Sequence, residues 1–342
     1  MTVLPRKSRA PRNRTLHIDE AESEQIKRRL ISVDRFLSCR HGLSGTTICG
    51  DLFRVISNLP SHFCDLIFAD PPYNLSKEFH GVKFKRTTTG GYTDWLRLWL
   101  PEMKRLLKPN GSLYVCGDWN SAAAIQMVLE ESFKIRNRIT WEREKGRGAK
   151  SNWKNNSEDI WFATVSDDYT FHVDRIMLKR KVMAPYRDAT GEAKDWNETE
   201  SGRFRLTHPS NIWTDISVPF WSMPENTYHP TQKPEKLLAK IVLASSNPGD
   251  LIFDPFLGSG TTSVVAKKLG RRYCGVEINE EYCCWAEKRL KIAESDSTIQ
   301  GYANGVFWER NTLNEQNLKQ ASTILTKPLF RNDERDKIQN TV

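Results

Sequence analysis

The run Leu66-Ile67-Phe68-Ala69 leads straight into Asp70-Pro71-Pro72-Tyr73, and this junction restricts the fold more than any other stretch of the chain. Consecutive apolar residues bounded by turn formers read as a strand buried on both faces, as in parallel sheets covered by helices. Two adjacent prolines lack the N–H groups that a ladder needs, so the strand stops and the backbone turns outward. A carboxylate, carbonyls without ladder partners and an aromatic ring are thereby set at the carboxyl end of a strand, where open α/β sheets bind ligands. Acceptors beside a flat stacking face suit an amino-bearing heterocycle, such as a nucleobase swung out of its duplex. The plainer reading is a strand-to-loop turn with Tyr73 as packing.

A second junction lies far downstream. Leu251–Phe253 reads as a strand, Gly260–Leu269 as a helix, and between them stands Asp254-Pro255-Phe256-Leu257-Gly258-Ser259-Gly260-Thr261-Thr262. Its glycines allow a tight turn and close approach of a ligand to backbone at a helix N-terminus. No Lys follows the last glycine, so this is not a phosphate-cradling Walker loop. The third glycine of the dinucleotide fingerprint is missing too. The next strand, Arg272–Val276, ends at Glu277, an acid placed to accept from both ribose hydroxyls. A glycine turn with a ribose acid and no pyrophosphate site indicates an adenosine-containing cofactor, and S-adenosylmethionine fits.

The remaining elements follow from periodicity. Strands are expected at Thr46–Cys49, Asp65–Ala69, Ser112–Cys116, Arg138–Glu142 and Asp159–Val165. Helices are expected at Leu52–Leu59, Asp94–Leu107, Ser121–Ser132, Pro234–Ser245 and Glu280–Ala293, with a turn at Lys108–Gly111. Lys77 to Gly91 is basic and aperiodic, and reads as a mobile loop beside the first junction. The chain thus divides into a basic arm and polar segment, partly disordered (1–40), and a first α/β half (41–165). An insertion rich in charge, Trp and Tyr (166–228), a second α/β half (229–295) and a polar tail (296–342) complete it.

Composition bears on partners and setting. A net charge of +9 with eleven Trp and nine Tyr favours an anionic partner that offers bases and phosphates together. Seven cysteines without a C-x-x-C pair, and histidines without ligand spacing, argue against a metal and for reduced thiols in the cytoplasm. No run of about 20 apolar residues exists to span a membrane. The basic N-terminus has no apolar core behind it and is not read as a secretory signal.

Asp70–Tyr73, His229-Pro230-Thr231-Gln232-Lys233-Pro234 and Asp254–Thr262, in this order, resemble the DNA amino-methyltransferases of the β class. The resemblance runs from about Thr46 to Leu290. It implies a Rossmann-like S-adenosylmethionine-dependent sheet, circularly permuted, in which family strands ordered 3-2-1-4-5-7-6 begin with strand 3 at Thr46–Cys49. An inserted target-recognition region lies between the motifs. Direct methyl transfer to an exocyclic amine is implied, with Asp70 and the Pro71 carbonyl accepting its N–H groups, Pro72 fixing the turn and Tyr73 stacking on the flipped base. For the cofactor, Asp51 faces adenine, Glu277 holds the ribose, and Asp254, Phe256, Gly258, Ser259, Gly260, Thr261 and Thr262 surround the methionine half. Thr231 and Lys233 reach its carboxylate. An N-cap is the competing reading of Asp51, and a solvated lysine that of Lys233.

DNA contacts are expected from Lys83, Lys85 and Arg86 beside the turn, from Lys145, Arg147, Lys150 and Lys154, and from Arg187, Arg203, Arg205 and Asn211 in the insertion. Adenine N6 in double-stranded DNA leads as the target, because cytosine-N4 members usually carry Ser in place of Asp70. Cytosine N4 is the alternative, with a non-catalytic DNA-binding module behind it. A homodimer and a cognate restriction endonuclease are further partners that the resemblance brings into view.

Overall fold

The structure, a computed structural model, describes residues 10–39, 42–75, 77–79, 82–84, 86–143, 151–183, 186–192, 195–199, 202–310 and 312. The apolar runs assemble into one nine-stranded sheet. Its strands are β1 (Ile31–Ser32), β2 (Thr46–Cys49), β3 (Cys64–Ala69), β4 (Leu107–Gly117), β5 (Lys134–Glu142), β6 (Ser157–Thr164), β7 (Ile212–Trp213), β8 (Leu251–Asp254) and β9 (Arg272–Glu277). They lie in the order β1-β2-β9-β8-β3-β4-β6-β5-β7. From β1 to β4 every neighbour is parallel, whereas β6 runs antiparallel to both β4 and β5. Apart from the two-residue edge strands, this is the permuted order expected from the resemblance. The late strands β8 and β9 sit between the early strands β2 and β3.

Helices cover both faces, and β3 shows why the strand is apolar throughout. Successive side chains of a strand point to opposite faces, so Ile67 and Ala69 join the layer of Leu96, Trp99, Met103 and Ile125. Leu66 and Phe68 join the opposite layer, with Leu237, Leu238, Ile241 and Val265. Helix Ala122–Ser132 buries Ala124, Ile125, Val128 and Leu129, a stripe at helical spacing. Helix Glu235–Ser245 is buried along its whole length, including Lys236 and Lys240. Those lysines, one turn apart, both reach Asp215, at 2.7 and 2.6 Å, and so pin the insertion to the central helix. Burial pushes the Lys236 ammonium down to about 8, with Asp215 opposing it.

Several expectations change. The helix expected over 94–107 is two, Thr89–Arg97 and Leu100–Leu106, with Pro101 in the first turn of the second. The Lys108–Gly111 turn lies within β4 as an irregular register between Cys64 and Leu66 of the partner strand. Leu52–Leu59 begins as an α-helix (Leu52–Val55) and continues as a 3₁₀ turn (Ile56–Asn58). Within the stretch read as a mobile loop, Lys77–Phe79 pairs with Val82–Phe84.

The insertion carries ordered strands, Leu178–Lys181, Asn197–Thr199 and Gly202–Thr207. They form a second sheet with Val306–Trp308 and Tyr302–Ala303, so residues 299–308 are not a bare tail. Ile299, Phe307 and Trp308 are buried, a return that lacked any periodic signal because each strand has only two or three residues. At the other end, Arg14 and Leu16 donate to the carbonyls of Trp221 and Asn226, and helix Glu20–Lys27 follows. Residues 1–9 and 313–342 lie outside the described residues.

Candidate active site

β3 and β8 are adjacent, with Leu66 opposite Ile252 and Ile67 opposite Phe253. Both turns therefore leave the same edge of the sheet, and a cleft of about 400 Å³ lies between them. Asp70, Pro71, Pro72 and Tyr73 line it, as do Asp51, Thr231, Lys233, Asp254, Phe256, Gly258, Ser259, Thr261, Thr262 and Glu277. Gly260 alone among the expected cofactor residues is not on the wall.

The proline turn is fixed from behind. The Tyr92 hydroxyl donates to the Pro72 carbonyl at 2.9 Å. Asn74, buried, donates to the Thr87 carbonyl and accepts from the Thr87 N–H at 3.0 and 2.8 Å, while its own N–H reaches Ser121 Oγ. Asn74, given no role from sequence, is thus the tie between this turn and the helix that follows.

Asp70 stands in a cluster of charges. The Tyr73 hydroxyl is 3.0 Å from Asp70 Oδ1 and 3.2 Å from Glu158 Oε2. Lys233 Nζ is 2.5 Å from Asp70 Oδ2 and 3.4 Å from Glu158 Oε2. Arg143 closes the cluster with an ion pair to Glu158 Oε1. Burial pushes the Asp70 carboxyl above its usual range and Glu158 adds to this, against the pull of Lys233. Burial also pushes Glu158 upward, but Lys233 and Arg143 outweigh it and hold that carboxylate below its usual range. Lys233 is held above its ordinary value because the two carboxylates overcome its burial.

Lys233 is thus a buried lysine rather than a solvated one: its ammonium, on the wall of the cleft, lies between Asp70 and Glu158. Glu158 had no motif to reveal it. Its one sequence signal is an acid two residues ahead of the apolar run Ile160–Ala163, on the same strand face as Ile160 and Phe162, where its partners had to be supplied by distant segments.

Elsewhere on the wall, Glu277 accepts Gly258 N–H on Oε2 and Asn279 N–H on Oε1, both at 2.8 Å. The Ile278 N–H also faces this carboxylate, which still has acceptor capacity to spare among its roughly four lone-pair sites. Asp51 caps helix Leu52–Val55 through Phe53 N–H at 3.0 Å and also lines the cleft, so its two readings coexist. Asp254 is structural as well: it accepts from Phe256 N–H at 2.9 Å and Thr262 Oγ1 at 2.5 Å, and burial pushes it up to about 7.

The two glycines of the loop have different duties. Gly258 (φ +54°) faces His229. Gly260 (φ +82°) instead packs against helix Glu280–Ile292, where an added Cβ would lie 2.6 Å from Ala286 Cβ. Its freedom serves helix packing, contrary to the expectation of ligand contact.

The expected DNA contacts are scattered. Arg86 is exposed, 3.5 Å from Asn120 Oδ1, and Lys154 is exposed. Arg187 and Arg203 lie over the Trp196 ring at 5.1 and 5.2 Å, with Arg203 paired to Glu198 and Arg205 to Asp195. Asn211 donates to the Arg138 carbonyl beside β5. Lys85, Lys145, Arg147 and Lys150, and the side chain of Lys83, lie outside the described residues.

A mostly parallel sheet in this order, with the glycine loop, Glu277 and the Asp70–Tyr73 turn around one cleft, defines the class as a permuted methyltransferase acting on amino groups. The chain belongs to the DNA methylase family, whose model matches residues 64–288. It is 36% identical over 283 residues to the DNA adenine methyltransferase YhdJ of Escherichia coli, covering 79% of this chain and 92% of that protein. It is 32% identical over 287 residues to the type II methyltransferase M.HpaI of Haemophilus parainfluenzae, covering 83% and 82%. The PvuII cytosine-N4-specific DNA methyltransferase shares the fold at TM-score 0.54 and 17% identity, over 72% of this chain and 86% of that one.

S-adenosylmethionine is the methyl donor of such enzymes. The residues present fit it: the cleft has the room, and Glu277 on its wall keeps acceptor capacity beyond the backbone N–H groups it holds. Among the described residues no helix is long and apolar enough to cross a membrane.

Proposed function

We propose that this chain methylates the N6 amino group of adenine in duplex DNA, at sites read by its insertion, in the cytoplasm. The observation that carries the reading is the meeting of Asp70 and Tyr73 with Glu277 and the glycine loop on one cleft. The donor supplies an electrophilic methyl group on sulfur. An aromatic amine attacks it poorly, because its lone pair is delocalised into the ring. Asp70 and the Pro71 carbonyl accept the two N–H groups and draw the nitrogen toward tetrahedral geometry, which frees the lone pair. Tyr73 stacks on the extruded base. This is positioning with preorganised electrostatics. The nitrogen–methyl bond forms as the sulfur–methyl bond breaks, and the amine sheds one proton. One chain supplies both loops of the cleft, so neither self-association nor an accompanying endonuclease is needed for the chemistry.

The name of the Escherichia coli relative, an adenine methyltransferase, supports adenine over cytosine. Nucleoside analysis of duplex DNA after reaction with labelled donor decides: N6-methyladenine is expected, and N4-methylcytosine in its place would overturn the assignment. Glu277→Ala should weaken donor binding by about 1–3 kcal/mol, the range for a charged hydrogen bond lost in a buried site. Calorimetry reads this, and an unchanged Kd would remove Glu277 from the ribose.

Arg187, Arg203, Arg205 and Asn211 in the insertion are the candidates for base reading. Exposed Arg86 and Lys154, with Lys83, Lys85, Lys145, Arg147 and Lys150, are candidates for phosphates. Exchanging 166–228 together with 299–310 for the matching segments of a relative with another site should move the methylated sequence with them. The second segment is included because Val306–Trp308 pairs with Leu178–Lys181. Specificity that stays with the sheet would reject the insertion as reader.

A further inference from the structure

The cluster behind Asp70 holds more acceptors than the methyl transfer just described uses. Tyr73 has one hydroxyl proton, and two carboxylate oxygens lie within its reach, Asp70 Oδ1 at 3.0 Å and Glu158 Oε2 at 3.2 Å. Whenever that proton rests on Asp70, it competes with the amino group for the same oxygen. Lys233 is likewise divided, 2.5 Å from Asp70 Oδ2 and 3.4 Å from Glu158 Oε2. Glu158 is 4% exposed on its side chain and fixed from its far side by Arg143, so it does not move away from the pair.

We propose that Glu158 is a positioning residue that draws the Tyr73 hydroxyl and part of the Lys233 ammonium off Asp70, opening Asp70 Oδ1 to the incoming amine. The inference rests on Asp70 being the acceptor for that amine. Arg143 is essential to the arrangement, because it keeps Glu158 ionised beside a second carboxylate. Without Glu158, both the hydroxyl and the full ammonium turn to Asp70. The acceptor is then occupied and electrostatically satisfied before the base arrives.

The titratable groups facing Asp70 are Tyr73 from its own turn and, from five other segments, Cys116 from β4, Glu158 from β6, Lys233 ahead of helix Glu235–Ser245, Asp254 from β8 and Tyr92 from helix Thr89–Arg97. Of these, Glu158 is the acid that shares both of Asp70's hydrogen-bond donors. Transfer requires the ionised Asp70, so activity falls as pH drops through its titration. A negative neighbour raises that titration, and removing it moves the acid limb of the profile to lower pH.

The test uses the full chain with S-adenosylmethionine and duplex DNA. Wild-type formation of methyladenine comes first, and its absence would sink the reading of the site rather than this inference. With wild type active, Glu158→Gln should lower kcat by about 10–100-fold, the loss expected of one charged hydrogen bond. KM for DNA and donor affinity should stay within about twofold, and the acid limb should move to lower pH. Adding Tyr73→Phe, which keeps the stacking ring but removes the competing hydroxyl, should raise the rate above that of Glu158→Gln alone. A rate equal to wild type, an unmoved acid limb, or a double variant slower than Glu158→Gln would each overturn the proposal. If Glu158→Gln does not fold, Glu158→Asp serves: it keeps the charge but withdraws it, so kcat should fall while the acid limb shifts less than one pH unit. An unchanged kcat in that variant would also overturn it.

Discussion

Asp70→Ala should lose methyl transfer by about 10²-fold or more, the usual loss for one preorganised group acting on the reacting atoms. Donor binding should survive, since Glu277 and the glycine loop are held by contacts that do not include Asp70. The remaining charges stay paired: Lys233 keeps Glu158, and Glu158 keeps Arg143. The loss should therefore fall on kcat, with KM for DNA and donor Kd nearly constant. Asp70→Asn separates charge from shape, because the amide retains one acceptor oxygen but offers N–H donors on its other side. It too should be slow. Turnover near the wild-type rate in either variant would remove Asp70 from the chemistry.

Gly260→Ala should be the most damaging single methyl group in the cofactor half. The residue sits at φ +82°, where a side chain strains the backbone by roughly 1–2 kcal/mol. The new Cβ would meet Ala286 Cβ at 2.6 Å and Ala286 Cα at 2.8 Å, and such overpacking adds about 1–3 kcal/mol. A fall in Tm of roughly 3–7 °C follows for a protein of this size. Gly270→Ala is the matched comparison. Its φ is +73°, yet nothing lies within 4 Å of an added Cβ, so only the backbone strain is incurred. Equal losses in the two variants would mean that the contact with Ala286 is not what the glycine protects.

Much of the fold was legible because its signals are local. Strands β2, β3, β8 and β9 are short apolar runs ended by Gly, Pro or an acid, and the motif order implies their permuted arrangement. The cleft was legible for the same reason: Asp70 and Glu277 each close a strand. What sequence could not show was assembled from afar. Glu158 matters through Lys233, Tyr73 and Arg143, none within ten residues of it. The pairing of Lys233 with Asp70 and Glu158 was equally hidden, because those carboxylates lie 163 and 75 residues away in the chain. The duty of Gly260 depended on a helix not yet placed. Phe307 and Trp308 looked like stray aromatics in a polar tail until Leu178–Lys181 gave them a sheet to join.

The interleaving of early and late strands has a consequence for synthesis. β2 and β3 leave the ribosome close together in time, but in the finished sheet β9 and β8 stand between them. Until β9 is complete at residue 277, the sheet can exist only as two pieces, β1-β2 on one side and β8-β3-β4-β6-β5-β7 on the other. Closing it is a long-range step, of the kind that delays folding. The nascent protein therefore carries its Asp70–Tyr73 turn well before the glycine loop and Glu277 can stand opposite it. The cleft is complete only when β8 and β9, the last two strands of the main sheet, have taken their places.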